Sequence, residues 1–151
     1  MKMRTIRKPS ARIMLALAAC LGALSGLSGF TFFYARGPSY LGNDPKTCMN
    51  CHVMRRQFDA WNRSSHHAAA KCNDCHTPHN LVGKYFVKGV NGFNHSKAFT
   101  LGDFPEPIRI NPFNAAVANA NCTRCHQGMV ERMRPRGLDC SACHKGMGHD
   151  D

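Results

Sequence analysis

From Ile13 to Ala35 the chain runs through 23 positions without a charged residue, and no apolar run of that length recurs. At about 1.5 Å per residue such a run makes about 34 Å of helix, enough to cross a hydrocarbon layer of about 30 Å. The pattern predicts a transmembrane helix. A cleaved secretory leader would have an apolar region of only about 7 to 15 residues. This run instead continues through Leu24, Leu27, Phe30, Phe32, Phe33 and Tyr34, so a retained anchor is expected. Its aromatic outer end suits the membrane–water boundary.

Beyond the anchor the apolar positions are scattered. Short helices are predicted around Met54 to Ala70 and Pro112 to Ala120, the second opening on a proline suited to a first turn and rich in alanine. Phe104-Pro-Glu-Pro-Ile108 reads as a turn or extended loop. No stretch alternates as a strand does. The expected fold is mainly α with much irregular structure: one N-terminal transmembrane helix and one small domain.

Cysteine usage explains how so small a domain would hold together. Eight of the 9 cysteines fall in four Cys-x-x-Cys-His units: Cys48, Cys51 and His52; Cys72, Cys75 and His76; Cys122, Cys125 and His126; Cys140, Cys143 and His144. In an exported chain this unit attaches a c-type haem, two thiols forming thioethers to the porphyrin while the adjacent imidazole ligates iron. Structural zinc also uses paired Cys-x-x-Cys knuckles but requires no histidine after each second cysteine. A disulfide framework fits worse, since cysteines three apart pair poorly and Cys20 lies inside the apolar run. Four covalent haems are therefore expected, forming most of the core of a small multihaem cytochrome c domain.

The formal charge of +11 then changes meaning. Eight haem propionates would lower it by about eight units, to about +3. Five of the basic residues, Lys2, Arg4, Arg7, Lys8 and Arg12, precede the apolar run, and only Arg36 directly follows it. The positive-inside rule puts the N-terminus in the cytoplasm and the haem domain outside. Residues 1–12 are thus expected as a cytoplasmic basic segment, 13–35 as the anchor and 36–151 as the haem domain of a single-pass protein in a bacterial inner membrane. No basic stripe interleaved with aromatics supports nucleic-acid binding.

Spacing between motifs is uneven. Something besides haem attachment occupies the interval from Thr77 to Asn121, which contains Lys84, Lys88 and His95. His52, His76, His126 and His144 are the proximal candidates for iron, and His66, His67, His79, His95, His149 and several methionines, Met54 among them, remain for distal positions.

Cys48-x-x-Cys51-His52-x-Met54, Trp61-x-x-Ser64-Ser65-His66, Cys72-Asn-Asp-Cys75-His76-Thr-Pro78-His79 and the terminal His144-Lys-Gly-Met-Gly-His149 together resemble the NapC/NirT family of membrane-anchored tetrahaem quinol dehydrogenases. The similarity is greatest to its branch of small, quinol-oxidising subunits of cytochrome c nitrite reductase. It implies oxidation of menaquinol next to the first haem and delivery of electrons to a periplasmic multihaem catalytic subunit in a hetero-oligomer. The chain would not itself reduce nitrite. By the same resemblance Met54 is the axial ligand of the first haem, with His52 as the alternative, His149 completes the second haem beside His76, and His66 completes the third beside His126. His144 holds the fourth, whose other ligand is a lysine of the catalytic partner.

Quinol oxidation releases two protons with two electrons, so a proton acceptor and an orienting group are needed. The resemblance puts Lys88 at that site. His95 stands where relatives carry an acidic residue, either as the base or as a ligand of the first iron. Two other functions share these motifs: a quinol dehydrogenase serving a nitrate reductase or several periplasmic reductases, and a soluble tetrahaem carrier.

Overall fold

The computed structural model describes residues 9–133 and 139–149, so the basic residues Lys2, Arg4, Arg7 and Lys8 lie outside the described residues. Every regular element among the described residues is helical. The chain forms two compact units, one ending at Pro38 and one beginning at Ser39.

The first unit is essentially helix α1, Ala11–Tyr34. Its side chains are exposed and apolar on all faces, as in a helix whose solvent is lipid. Among the described residues it is the one helix long and apolar enough to cross a membrane. The helix stops where Arg36 takes a positive φ of 55°. At Gly37 the Phe32 ring lies so close to the backbone that a Cβ would overlap it.

The second unit starts with short 3-10 turns, Gly37–Leu41 (spanning the boundary), Pro45–Asn50 and His52–Met54, leading into α2, Arg55–Arg63. Helix α2 is shorter than the sequence pattern predicts. Ser64 leaves helical geometry with ψ 159°, and the chain turns back so that the Trp61 indole donates to the Ala70 carbonyl at 3.0 Å. Three short helices carry or follow motifs: α3 is Cys72–His76, α6 is Gln127–Val130 and α7 is Cys140–Cys143. Helices this short are unstable without tertiary support.

Two longer helices provide that support. The interval after the second motif is largely α4, Leu81–Leu101. Asn80 caps its start by accepting from the Gly83 amide, and Gly102 ends it at φ 65°, a left-handed conformation suited to glycine. Helix α5, Pro112–Cys125, is capped by Asn111 and runs past the predicted Ala120 into the third motif.

Asparagine side chains fasten these pieces together. Asn114 of α5 and Asn91 of α4 exchange two amide bonds, at 2.9 and 3.1 Å. Asn119 accepts from the Cys140 amide at 3.0 Å. Asn121 is buried and donates to the carbonyls of Cys75 and Thr77 at 2.9 and 3.0 Å. One helix thereby orients the second, third and fourth motifs. Asn121→Ala is expected to cost about 1–3 kcal/mol by leaving buried carbonyls unsatisfied, a loss read in the thermal melt of the haem-loaded protein.

Apolar burial is almost absent. Ala60 and Val87 are the only buried hydrophobic residues among those described, with Thr77 and Asn121 the only buried polar ones. A domain of this length normally buries one continuous apolar core.

Candidate haem-binding centres

The four motifs follow one another in space as they do in sequence. The thiols of Cys48 and Cys72 share a hydrogen bond, which draws Cys48 down to about 7 and raises Cys72. Burial raises Cys75, with Asp74 and then Cys125 adding to the effect. Cys122 is likewise raised by burial and by the nearby thiols of Cys140 and Cys75. First, second, third and fourth motifs are thus neighbours in turn, as a relay of closely spaced redox groups requires.

Two imidazole pairs form across long stretches of sequence. His76 and His149 have ring centroids 5.9 Å apart, and His66 and His126 have theirs 6.2 Å apart. Two metal–imidazole bonds of about 2 Å plus the two ring radii come to about 6 Å. Each pair is therefore spaced to hold one iron.

The tautomers agree. His66 Nδ1 donates to the Met147 carbonyl at 2.8 Å, and His149 Nδ1 donates to the Gln57 carbonyl at 3.0 Å. A carbonyl only accepts, so each Nδ1 carries the proton and each Nε2 keeps its lone pair for a metal. Burial, with His149 adding to it, lowers His76 to about 4. Its imidazole is neutral at pH 7, the form that ligates. The same two bonds tie the C-terminal segment to α2 and to the turn after it.

The remaining candidates fall elsewhere. His67 packs edge-on against Trp61 at 4.7 Å. His79 is exposed, beside Arg124 Nη2 at 2.6 Å and the Asp74 carbonyl at 3.1 Å. His52 is exposed whereas Met54, in the same 3-10 turn, is half-buried. His144 is exposed at the end of α7. No three His, Cys, Asp or Glu side chains among the described residues converge as a zinc site would require.

Lys88 and His95 lie two turns apart on one face of α4. The Lys88 ammonium donates to the carbonyls of Tyr40, Leu41 and Gly42, while Tyr85 and Asn73 bond to the same loop. Desolvation and then Lys84 lower the Lys88 pKa, and the Cys48 thiol opposes them. That coupling brings Lys88 near the first motif. His95 is also lowered, by desolvation, and so is neutral at pH 7.

Comparison with known proteins decides the family. Residues 8–111 match the model of the NapC/NirT cytochrome c family, N-terminal region. The chain belongs to that family. It is 37% identical over 139 residues to the cytochrome c-type protein NrfH of Wolinella succinogenes, covering 82% of this chain and 78% of the relative. It is 32% identical over 146 residues to the cytochrome c nitrite reductase subunit NrfH of Nitratidesulfovibrio vulgaris, covering 95% and 87%. A crystal structure of the cytochrome c nitrite reductase NrfHA complex bound to the HQNO inhibitor matches with TM-score 0.60 and 27% identity, covering 91% of this chain and 90% of that one. As a member of this family the chain binds haem covalently and, with its apolar helix α1, is a single-pass membrane protein. Absence of a conventional apolar core is the physical counterpart of that assignment.

Proposed function

We propose that this chain is the quinol-oxidising, membrane-anchoring subunit of a cytochrome c nitrite reductase. It would draw electrons from menaquinol and deliver them to a periplasmic multihaem catalytic subunit. Similarity to NrfH proteins along nearly the whole chain supports the reading. The structural observation that carries it is the pair of imidazole couples with free Nε2 atoms, because it fits haem irons held on both faces rather than an enzyme's open substrate site.

Four bound haems would supply one-electron redox chemistry. Cys48 and Cys51, Cys72 and Cys75, Cys122 and Cys125, and Cys140 and Cys143 would hold them. His76 with His149 and His66 with His126 would ligate the second and third irons, and Met54 the first. His144 would ligate the fourth, leaving its other face to a lysine of the catalytic subunit. A coordination bond of that kind would exclude partners lacking the lysine. The basic N-terminus would remain in the cytoplasm, with the motifs on the periplasmic side of the inner membrane.

At the quinol end, neutral His95 takes the hydroxyl proton, and the Lys88 ammonium orients the oxygen by exchanging its long bond to the Leu41 carbonyl, 3.5 Å, for one to the quinol. Lys88 also fixes the Tyr40–Gly42 loop beside the first motif, so one side chain joins the donor site to the attachment site. Lys88→Ala and His95→Leu are each expected to slow reduction by a menaquinol analogue by about 10²-fold. Reduction by a soluble dye and the haem absorption spectrum should be unchanged. Equal slowing with both donors would contradict the assignment.

A further inference from the structure

Helix α4 carries a face that neither the haem motifs nor the rest of the fold uses. Its inward side is marked by buried Val87 and by Asn91, which is bonded to α5. Lys88 reaches toward the loop beside the first motif. On the side away from Val87 stand Leu81, Val82, Phe86, Phe93 and Phe99, all exposed, with Val82 at 82% and Phe93 at 71%. Positions 82, 86 and 93 recur at helical spacing and form one stripe. The side-chain bonds that tie α4 to the rest of the domain, from Lys88 to the Tyr40–Gly42 loop and from Asn91 to α5, leave from other faces than this stripe.

Charge identifies what would cover it. Over its 21 residues α4 has three lysines, Lys84, Lys88 and Lys97, one histidine and no acidic residue. An apolar aromatic stripe flanked by lysines is the pattern of a helix lying in a lipid–water interface, with the basic groups against anionic head groups. Chain length permits the contact. Tyr40, whose carbonyl accepts from Lys88, is six residues after Tyr34, the last residue of α1. Six residues of chain reach at most about 20 Å.

We propose that α4 lies along the surface of the membrane that α1 enters, its Val82–Phe86–Phe93 stripe in the acyl boundary and its lysines against the head groups of anionic phospholipid. On the quinol reading above, Lys88 and His95 then stand at the opposite edge of the exposed apolar face, beside Leu81 and Phe99, where a quinol leaving the lipid would meet them. The lipid contact itself does not depend on that reading.

The test uses the full-length haem-loaded protein in nanodiscs of phosphatidylcholine and phosphatidylglycerol doped with a phospholipid carrying a diazirine on its acyl chain. After illumination, labelled peptides are mapped by mass spectrometry. Label on α4 should exceed that on α2 severalfold, and nanodiscs of phosphatidylcholine alone should reduce it. The double variant Phe86→Asp, Phe93→Asp should lose α4 labelling while label on α1 and the haem spectrum persist. A single variant, Val82→Ser, gives a milder form should the double variant fail to mature. Labelling of α4 no higher than of α2 would overturn the proposal. So would protein cross-links from Phe93 in native membranes where lipid adducts are expected, since a partner protein would then cover the stripe. Because no quinol turns over in this assay, its failure is distinguishable from failure of the electron-donor reading.

Discussion

Denied its haems, the segment from Ser39 to His149 is expected to be unfolded. Replacing the eight motif cysteines by serine should give a chain with no cooperative thermal transition and rapid proteolysis throughout that segment, while α1 remains helical in a membrane. Only Ala60 and Val87 are buried apolar residues among those described, and neither is large. Helices α3, α6 and α7 have five, four and four residues, far below the length at which a helix persists alone. Against this stands the conformational entropy of the whole domain. The asparagine bonds of α5 give orientation but little net stability, because each replaces a bond to water. Cofactor burial must therefore supply the hydrophobic driving force, as it does in small domains organised around metals. Circular dichroism and limited proteolysis of the serine variant check this. A cooperative melt in the haem-free chain would contradict it.

Exchange of a histidine proposed as an axial ligand should have the next largest effect. His149→Ala is expected to convert one haem per chain from low-spin to high-spin, visible in the electron paramagnetic resonance spectrum, and to loosen the C-terminal segment by removing the bond to the Gln57 carbonyl. His149→Met should instead keep six ligands and raise one reduction potential by on the order of 0.1 V, a fraction of the roughly 0.8 V range that axial ligands span. His66→Ala should produce a separate change at a different haem, because its ring faces His126 and not His76. Independent sites add. The double variant should therefore show two high-spin haems. A double variant no worse than either single one would place both imidazoles on the same iron.

How much of this was readable in advance depended on how local each signal is. The anchor and the haem attachment points each lie within one short stretch of chain, so they stand out in the sequence. Similarity to known cytochromes in turn bears out the family, the helical fold and covalent haem binding. Helix α4 was not legible because its apolar stripe faces outward and its glycines at 83, 89 and 92 blur the helical period. Helix α2 was overextended because Met54 to Ala70 contains no strong breaker, and the stop comes from the tertiary bond between Trp61 and Ala70.

The pairing of His66 and His149 with partners far away in sequence came from resemblance, since spacing alone left five distal candidates. Geometry separates those candidates by what their rings touch: His67 packs on Trp61 and His79 sits beside Arg124. The asparagines of α5 gave no sequence signal, because an amide that bonds a distant carbonyl looks the same in sequence as one that bonds water. Nor did the triple bonding of Lys88 to the Tyr40–Gly42 loop, which requires that loop and α4 to be seen together.

The relay from lipid to partner is tested most directly by following the haem absorbance of native membranes in the presence of a menaquinol analogue, then adding nitrite. Reduction by the quinol, followed by reoxidation on nitrite addition that disappears when the catalytic subunit is deleted, is the predicted result. Haems that dithionite reduces but the quinol does not, or whose nitrite-dependent reoxidation survives that deletion, would contradict the account.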